Sequence, residues 1–194
     1  MGLILSLVFY SCTILKEYEV VELKIQQDYI DVAAALRGEG AVVEIKPVPF
    51  TKETFEKWLN VRDAVAESLD VGFADRKATA PLLQRRVRND ALKSLQETLT
   101  AQQLSFAAYN NASMRWRSLI ARPEFPTLHE AWGKEVRVAS SPVPLPLEEP
   151  AADITELERS LLKESEARLI KTLSADKLTV LAELIASTEE PPTE

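Results

Sequence analysis

The chain has 194 residues, carries 23 Lys and Arg against 30 Asp and Glu for a net charge of −7, and is 46% hydrophobic with five glycines. That apolar content excludes wholesale disorder, and the scarcity of glycine argues against a sheet protein, with Ala, Leu, Glu, Lys and Arg supplying close to half the chain. One Cys and one His exclude an internal disulfide framework and a zinc finger.

Gly2 to Leu15 reads GLILSLVFYSCTIL, without a charge until Lys16. As a helix this run is about 21 Å long, short of the roughly 30 Å hydrocarbon core of a bilayer, and suits the apolar region of a secretory signal better than a membrane span. Its end, LVFYSC from Leu7 to Cys12, holds the chain's single cysteine. This segment resembles the lipobox of bacterial lipoproteins, with Ser11 as the small residue before the cysteine. The resemblance implies removal of residues 1–11 and attachment of diacylglycerol to the Cys12 sulfur. It places the protein in the bacterial cell envelope, on the periplasmic side, with the membrane as partner. Thr13, not being Asp, fits the outer-membrane branch of the sorting rule. Two other readings stay open. The signal reading leads because the segment is apolar on all sides; residues 1–15 can also be read as the first turns of a buried helix in a cytoplasmic protein, packed against residues such as Phe55 or Leu95. Met1-Gly2 with Ser6 also matches the loose myristoylation pattern.

Beyond this segment, prolines fence stretches of helical periodicity. Tyr18, Val21, Ile25, Tyr29, Val32 and Leu36 form one stripe on a helix expected from Lys16 to Arg37, with Gly38 and Gly40 as its stop. Thr51 caps a second helix, Lys52 to Leu69, closed by Gly72; Phe50 and Phe55 hold the staple positions around that cap. A third starts at Pro81 and carries Leu83, Val87, Leu92, Leu95 and Leu99. Ser105 caps a fourth, where Phe106, Tyr109, Ser113, Trp116 and Ile120 step at helical spacing. Leu104 and Tyr109 make a second staple.

Thr127 and Glu130 suggest a boxed single turn over Leu128 to Trp132. SSPVPLPLEEP, residues 140–150, reads as a stiff polyproline-like linker. Asp153 with Glu156 caps a fifth helix bearing Leu157, Leu161 and Leu169. Ser174 caps a sixth bearing Leu178, Leu181, Leu184 and Ile185. The expected architecture is an all-α bundle of about five or six amphipathic helices with Pro-rich linkers. It divides into a signal segment (1–11), a helical core (12–139), a linker (140–152), a C-terminal helical pair (153–187) and a disordered tail (188–194).

Charge is unevenly spread. Residues 16–72 net −5, residues 73–122 net +6 and residues 123–194 net −8. The basic centre comprises Arg76, Lys77, Arg85, Arg86, Arg88 and Lys93, continued by Arg115, Arg117 and Arg122. Its functional reading is a patch for an anionic partner, centred on Arg76, Lys77, Arg85, Arg86, Arg88, Lys93, Arg115 and Arg117. The other reading, which we favour, is internal pairing with the acidic helices of the same chain. The net negative charge disfavours nucleic acid. Tyr109 and Trp116 lie on an apolar stripe, as core residues do.

No nucleophile motif, phosphate-binding glycine loop or metal-ligand spacing is present, and no cofactor is implied. His129 has no nucleophile or second ligand beside it. The carboxylate pairs Glu53 with Glu56, and Glu156 with Glu158, sit in helix first turns, where they complement the helix dipole. Asp28 and Asp31 lack a third ligand. The expectation is a non-catalytic, lipid-anchored helical module that presents surface to another envelope component. The alternatives are a cytosolic binding module using the Arg-rich face, and an enzyme working through Glu or Asp residues on facing helices.

Overall fold

The computed structural model describes residues 2–38, 46–76, 81–138 and 153–187. Their regular elements are all helical: α1 (Gly2–Arg37), α2 (Lys52–Arg76), α3 (Pro81–Gln102), α4 (Phe106–Ile120), α5 (Pro126–Val138), α6 (Glu156–Glu164), α7 (Glu166–Lys171), a 3-10 turn (Leu173–Ala175) and α8 (Asp176–Ser187). The chain is an all-α bundle, with eight α-helices among the described residues instead of five or six. The proline-rich linker, the tail and Gly40 lie outside the described residues.

α1 runs unbroken from Gly2, so no boundary falls at Lys16; after Gly2 no proline or glycine interrupts it before Gly38. Gly38 ends it with φ +69° and its amide donating to Ala34 (3.0 Å), a left-handed cap that costs glycine nothing. α2 and α3 form an antiparallel hairpin. Ser94 Oγ donates to the Ala64 carbonyl (3.3 Å), and Asn60 Nδ2 donates to Gln102 Oε1 (3.1 Å).

Gly72 does not end α2, which continues to Arg76. It stands close against α3: a Cβ there would lie 2.7 Å from Val87 Cγ1. The cap and staple of α2 form as the sequence predicts. The Thr54 amide donates to Thr51 Oγ1 (3.1 Å), and Phe50 meets Phe55 edge-on at 5.2 Å.

α3 closes on Gln103 at φ +51°, and the Leu104 amide reaches back to the Leu99 carbonyl (3.0 Å). Buried Leu99 and Leu104 accompany that six-to-one bond, so an apolar clasp compensates a left-handed non-glycine residue. α4 then threads the middle of the bundle. Ser105 Oγ accepts from the Ala108 amide at its start, and 11 of its 15 residues are buried.

Four of the predicted details change. α5 is a helix of 13 residues, not a single turn; it begins on Pro126 with the His129 amide donating to the Phe125 carbonyl (3.0 Å), and Glu130 pairs with Lys134 (2.7 Å) instead of boxing Thr127. α6 is boxed by Thr155 and Glu158, not by Asp153 and Glu156. The predicted fifth helix breaks at Ser165 into α6 and α7. Ser174 is buried within the 3-10 turn and caps nothing, while Asp176 opens α8.

Several stripe positions also face solvent: Val21, Leu83, Leu157 and Leu184 are all exposed, because the helices turn slightly narrower faces inward than their sequences allow. Leu161, Leu162, Leu169, Leu173, Leu178 and Ile185 join Phe55, Trp58, Leu95 and Trp116 in one continuous core. The segment 153–187 therefore packs into the same interior as the preceding helices.

Candidate functional site

The polar chemistry of the interior gathers around Arg62. On α2 its side chain lies in line with Phe55, Trp58, Leu59, Val65 and Leu69, and it is fully buried. Its fork meets the Asp176 carboxylate at the start of α8, Nη1 to Oδ1 at 2.5 Å and Nη2 to Oδ2 at 3.1 Å. Nε donates to Thr172 Oγ1 (3.3 Å) and Nη2 to the Thr172 carbonyl (3.1 Å). The guanidinium lies over Trp58 (4.7 Å) and Trp116 (5.3 Å), and Trp116 Nε1 donates to Asp176 Oδ2 (3.2 Å). Trp58 Nε1 donates to Ser113 Oγ (3.1 Å). Nearby, burial pushes the Tyr109 phenol up to about 12, opposed by the Arg62 charge and reinforced by Asp176. Trp58, Trp116 and Trp132 are all core residues.

A second node forms on Glu158, also fully buried. It accepts from Arg115 Nε and Nη2 (both 2.8 Å), the Phe50 amide (3.1 Å), the Thr155 amide (2.9 Å) and Thr155 Oγ1 (3.1 Å). Burial raises the pKa of this carboxyl; the arginine and the two amides outweigh that and hold it below the ordinary glutamate value. Arg115, in turn, is raised by its bonds to Glu158. Asp153 adds its Oδ1 to Arg115 Nη1 at 3.3 Å. Its carboxylate is thus engaged by α4, which is why the α6 cap falls to Thr155. With five donors converging on two oxygens, Glu158 has no acceptor capacity left for a substrate. A third node is half-exposed: Arg168 on α7 bonds Asp63 (2.8 Å), Asn60 (2.6 Å) and Glu56 (3.3 Å) on α2.

The predicted anionic-partner residues separate into two groups. Arg115 and Arg117 are buried, Arg115 on Glu158 and Arg117 with Nη2 2.5 Å from Glu183, so neither faces an external ligand. Arg85, Arg86, Arg88 and Lys93 stay together on α3. Arg85 lies 3.3 Å from Glu22 and Lys93 lies 3.9 Å from Asp28, both on α1; Arg86 is exposed and Arg88 half-buried. Arg76 closes α2, and its side chain and all of Lys77 fall outside the described residues.

Glu53 pairs with Lys57 (2.7 Å), which lowers its pKa. Asp31 accepts from Gln27 (2.8 Å), and no acidic or His/Cys cluster among the described residues has metal-binding geometry. His129 Nδ1 lies 3.1 Å from the Ile120 carbonyl, a structural contact.

Cys12 lies within α1, and the axial register of α1 fixes its height. Glu22 meets Arg85, the Ile25 carbonyl accepts from Asn89 Nδ2 (2.8 Å), and Asp28 meets Lys93. Partner numbers rise together at an offset of 63 to 65, so α1 and α3 run parallel. Pro81, the start of α3, stands level with residues 16–18. Cys12 is then about 6–9 Å beyond that end of α3, and Gly2 about 21–24 Å beyond it, at 1.5 Å per residue. Among the described side chains of α1, Val20, Val21 and Leu23 are exposed, and burial starts at Ile25. No helix among the described residues is long and apolar enough to cross a membrane.

Comparison with protein-family models, with curated proteins and with solved structures finds no match to this chain.

Proposed function

We propose that this chain is a non-catalytic interaction module of the bacterial cell envelope, anchored by lipid on Cys12 and standing on the periplasmic side of the outer membrane. The observation that carries the reading is the height of Cys12. It sits on α1 beyond the start of α3, and among the described side chains of α1 the buried ones follow it by at least 13 positions. Cleavage before Cys12 removes residues 1–11 and leaves the packed half of α1, Ile25 to Leu36, intact. A diacylglyceryl group on the sulfur would then sit at the new amino terminus of α1, ahead of the described buried residues of that helix. The interior supports a scaffold role: Asp176 and Glu158 are each clasped by an arginine, and Glu158 is kept ionised, the opposite of what a neutral-pH general acid requires.

The test is the intact mass of protein purified from membranes of a bacterial host, with and without globomycin. The expected mature species begins at Cys12, carries acyl chains, and accumulates as precursor under globomycin; Cys12→Ser abolishes processing. An unacylated polypeptide that still begins with Met1, and a Cys12→Ser variant that fractionates like wild type, would overturn the reading.

A further inference from the structure

We infer that the groove along the outside of the α2–α3 hairpin takes a cationic amphipathic helix of a partner protein. The groove is the surface that the proposed interaction module presents, and it rests on that reading for the existence of a partner.

The groove holds about 430 Å³. On its α2 side Ala64, Ser68 and Gly72 follow one another at intervals of four, so for about 12 Å the helix offers almost no side chain and a second helix can lie close. On its α3 side the Ser94 hydroxyl is turned to the Ala64 carbonyl (3.3 Å) and raises no ridge. One end carries apolar contacts. Val71 lines the groove with 55% of its surface exposed. Gly72 faces Val87 across the hairpin, so exposed Leu83, one turn before Val87 and seven residues before Asp90, stands just past the same end. A helix seated in the groove would cover both with its apolar stripe.

Charge selects the occupant. The exposed charged residues from Ala64 to Gly72 on α2 and from Arg86 to Glu97 on α3 are Glu67, Asp70, Asp90 and Glu97 against Arg86, a net −3. Asp90 is engaged within the fold, whereas Glu67 and Glu97 have no ion pair among the described residues. The chain's own remaining stretches do not suit the groove. Residues 39–45, 139–152 and 188–194 hold two, two and three acids and no base. A second copy brings the same net −3 on this face and −7 as a whole. A foreign helix with Lys or Arg along both edges of an apolar stripe meets the acids on the rims, and the stems of its cations extend over Val71 and Leu83. The contact spans only a few turns, which makes it a reversible one.

The experiment uses the full chain carrying Cys12→Ser, so that acylation does not enter the readout. The probe is a labelled model helix of about 15 residues, Leu and Ala on one stripe and Lys on both flanks, beside a counterpart with Glu for every Lys. Binding is followed by fluorescence anisotropy at about 50 mM and about 500 mM NaCl, and circular dichroism checks that each variant is folded. We expect the Lys helix to bind at least about tenfold more tightly than the Glu helix at low salt, with the difference shrinking at high salt. Ser68→Phe, which fills the groove without changing charge, should weaken the Lys helix at least about tenfold. Val71→Lys, at an exposed position that does not threaten the fold, should do the same and decides the matter if Ser68→Phe fails to fold. Glu67→Gln/Glu97→Gln should weaken binding at least about fivefold, and the equal charge change Glu130→Gln/Glu164→Gln should not. Equal binding of the two helices, or of neither, overturns the inference. So does binding that survives Val71→Lys, or that the control pair weakens as much as the groove pair, because the site would then not be the groove. A dimer of the chain alone that Val71→Lys dissociates would assign the groove to a second copy and also overturn it. Each of these results leaves the lipid on Cys12 standing; failure of acylation is read separately, from the mass of the membrane-purified protein.

Discussion

Replacing Arg62 by Met tests whether the segment 153–187 is held by the buried ion pair. The substitution keeps most of the side-chain volume between Trp58 and Trp116 and removes four hydrogen bonds at once, two to the Asp176 carboxylate and two to Thr172. It leaves Asp176 fully buried, with Trp116 Nε1 still donating to it. Removing one partner of a buried pair costs about 3–5 kcal/mol, because the other charge stays desolvated. Loss of the guanidinium from two indole faces acts in the same direction.

With a urea slope of about 2 kcal/mol per M, the unfolding midpoint should fall by roughly 2 M. Asp176→Leu alone should cost about as much, since it strands the guanidinium. The double variant should cost about 2–3 kcal/mol, mainly for the unpaired Trp116 donor and the lost helix-terminus carboxylate, giving a coupling of several kcal/mol. The assay is equilibrium unfolding in urea, followed by tryptophan fluorescence and by circular dichroism, with coincident transitions required. Single variants that each cost under about 1 kcal/mol and simply add in the double would refute the reasoning. The two groups would then be solvated, and the C-terminal segment would not be docked through them.

Glu158 makes the protein acid-sensitive in a defined direction. Its pKa is lowered in the fold from the ordinary 4.5, so its contribution is complete above that value and is lost as pH falls through the folded pKa; Glu158→Gln should lower stability at pH 7 and flatten the decline in unfolding midpoint below about pH 4.5, and an unchanged acid slope would count against the node. Gly72→Ala gains about 1 kcal/mol of helix propensity but sets a Cβ 2.7 Å from Val87 Cγ1, a stiff β-branched neighbour; the expected net is about 1 kcal/mol destabilising, relieved by Val87→Ala, and a more stable Gly72→Ala would show that α2 and α3 pack less closely.

Where a local signal has no competitor, the sequence and the fold agree. Thr51 and Ser105 each precede an apolar run with a staple partner in place, and both cap as predicted. Around α6 the sequence offers two overlapping pairs at the same spacing, Asp153 with Glu156 and Thr155 with Glu158. Nothing local decides between them. The choice is made by Arg115, 38 residues before Asp153, which takes both Asp153 and Glu158. Arg62 left a clear trace that the apolar pattern hides: it occupies the stripe between Trp58 and Val65, and a charge on a stripe announces a buried partner. The partner itself, Asp176, reads locally as an ordinary first-turn acid and is found only when α8 comes to rest against α2 and α4.

The basic run from Arg76 to Arg122 reads as one feature in the sequence and divides in the fold by how deeply each helix is set. α4 buries 11 of its 15 residues, so an arginine anywhere on most of its circumference enters the interior. An unpaired buried guanidinium is too costly to tolerate, and Arg115 and Arg117 consequently draw Glu158 and Glu183 in with them. α3 buries six of its 22 residues, all on the side toward α1 and α2, and its arginines keep contact with water. The cost of desolvation thus sorts one stretch of like charge into two roles. Charge removal on α4 should register in unfolding experiments, because acids brought inside would lose their partners. Charge removal at Arg86, which is exposed on α3, should leave unfolding nearly untouched.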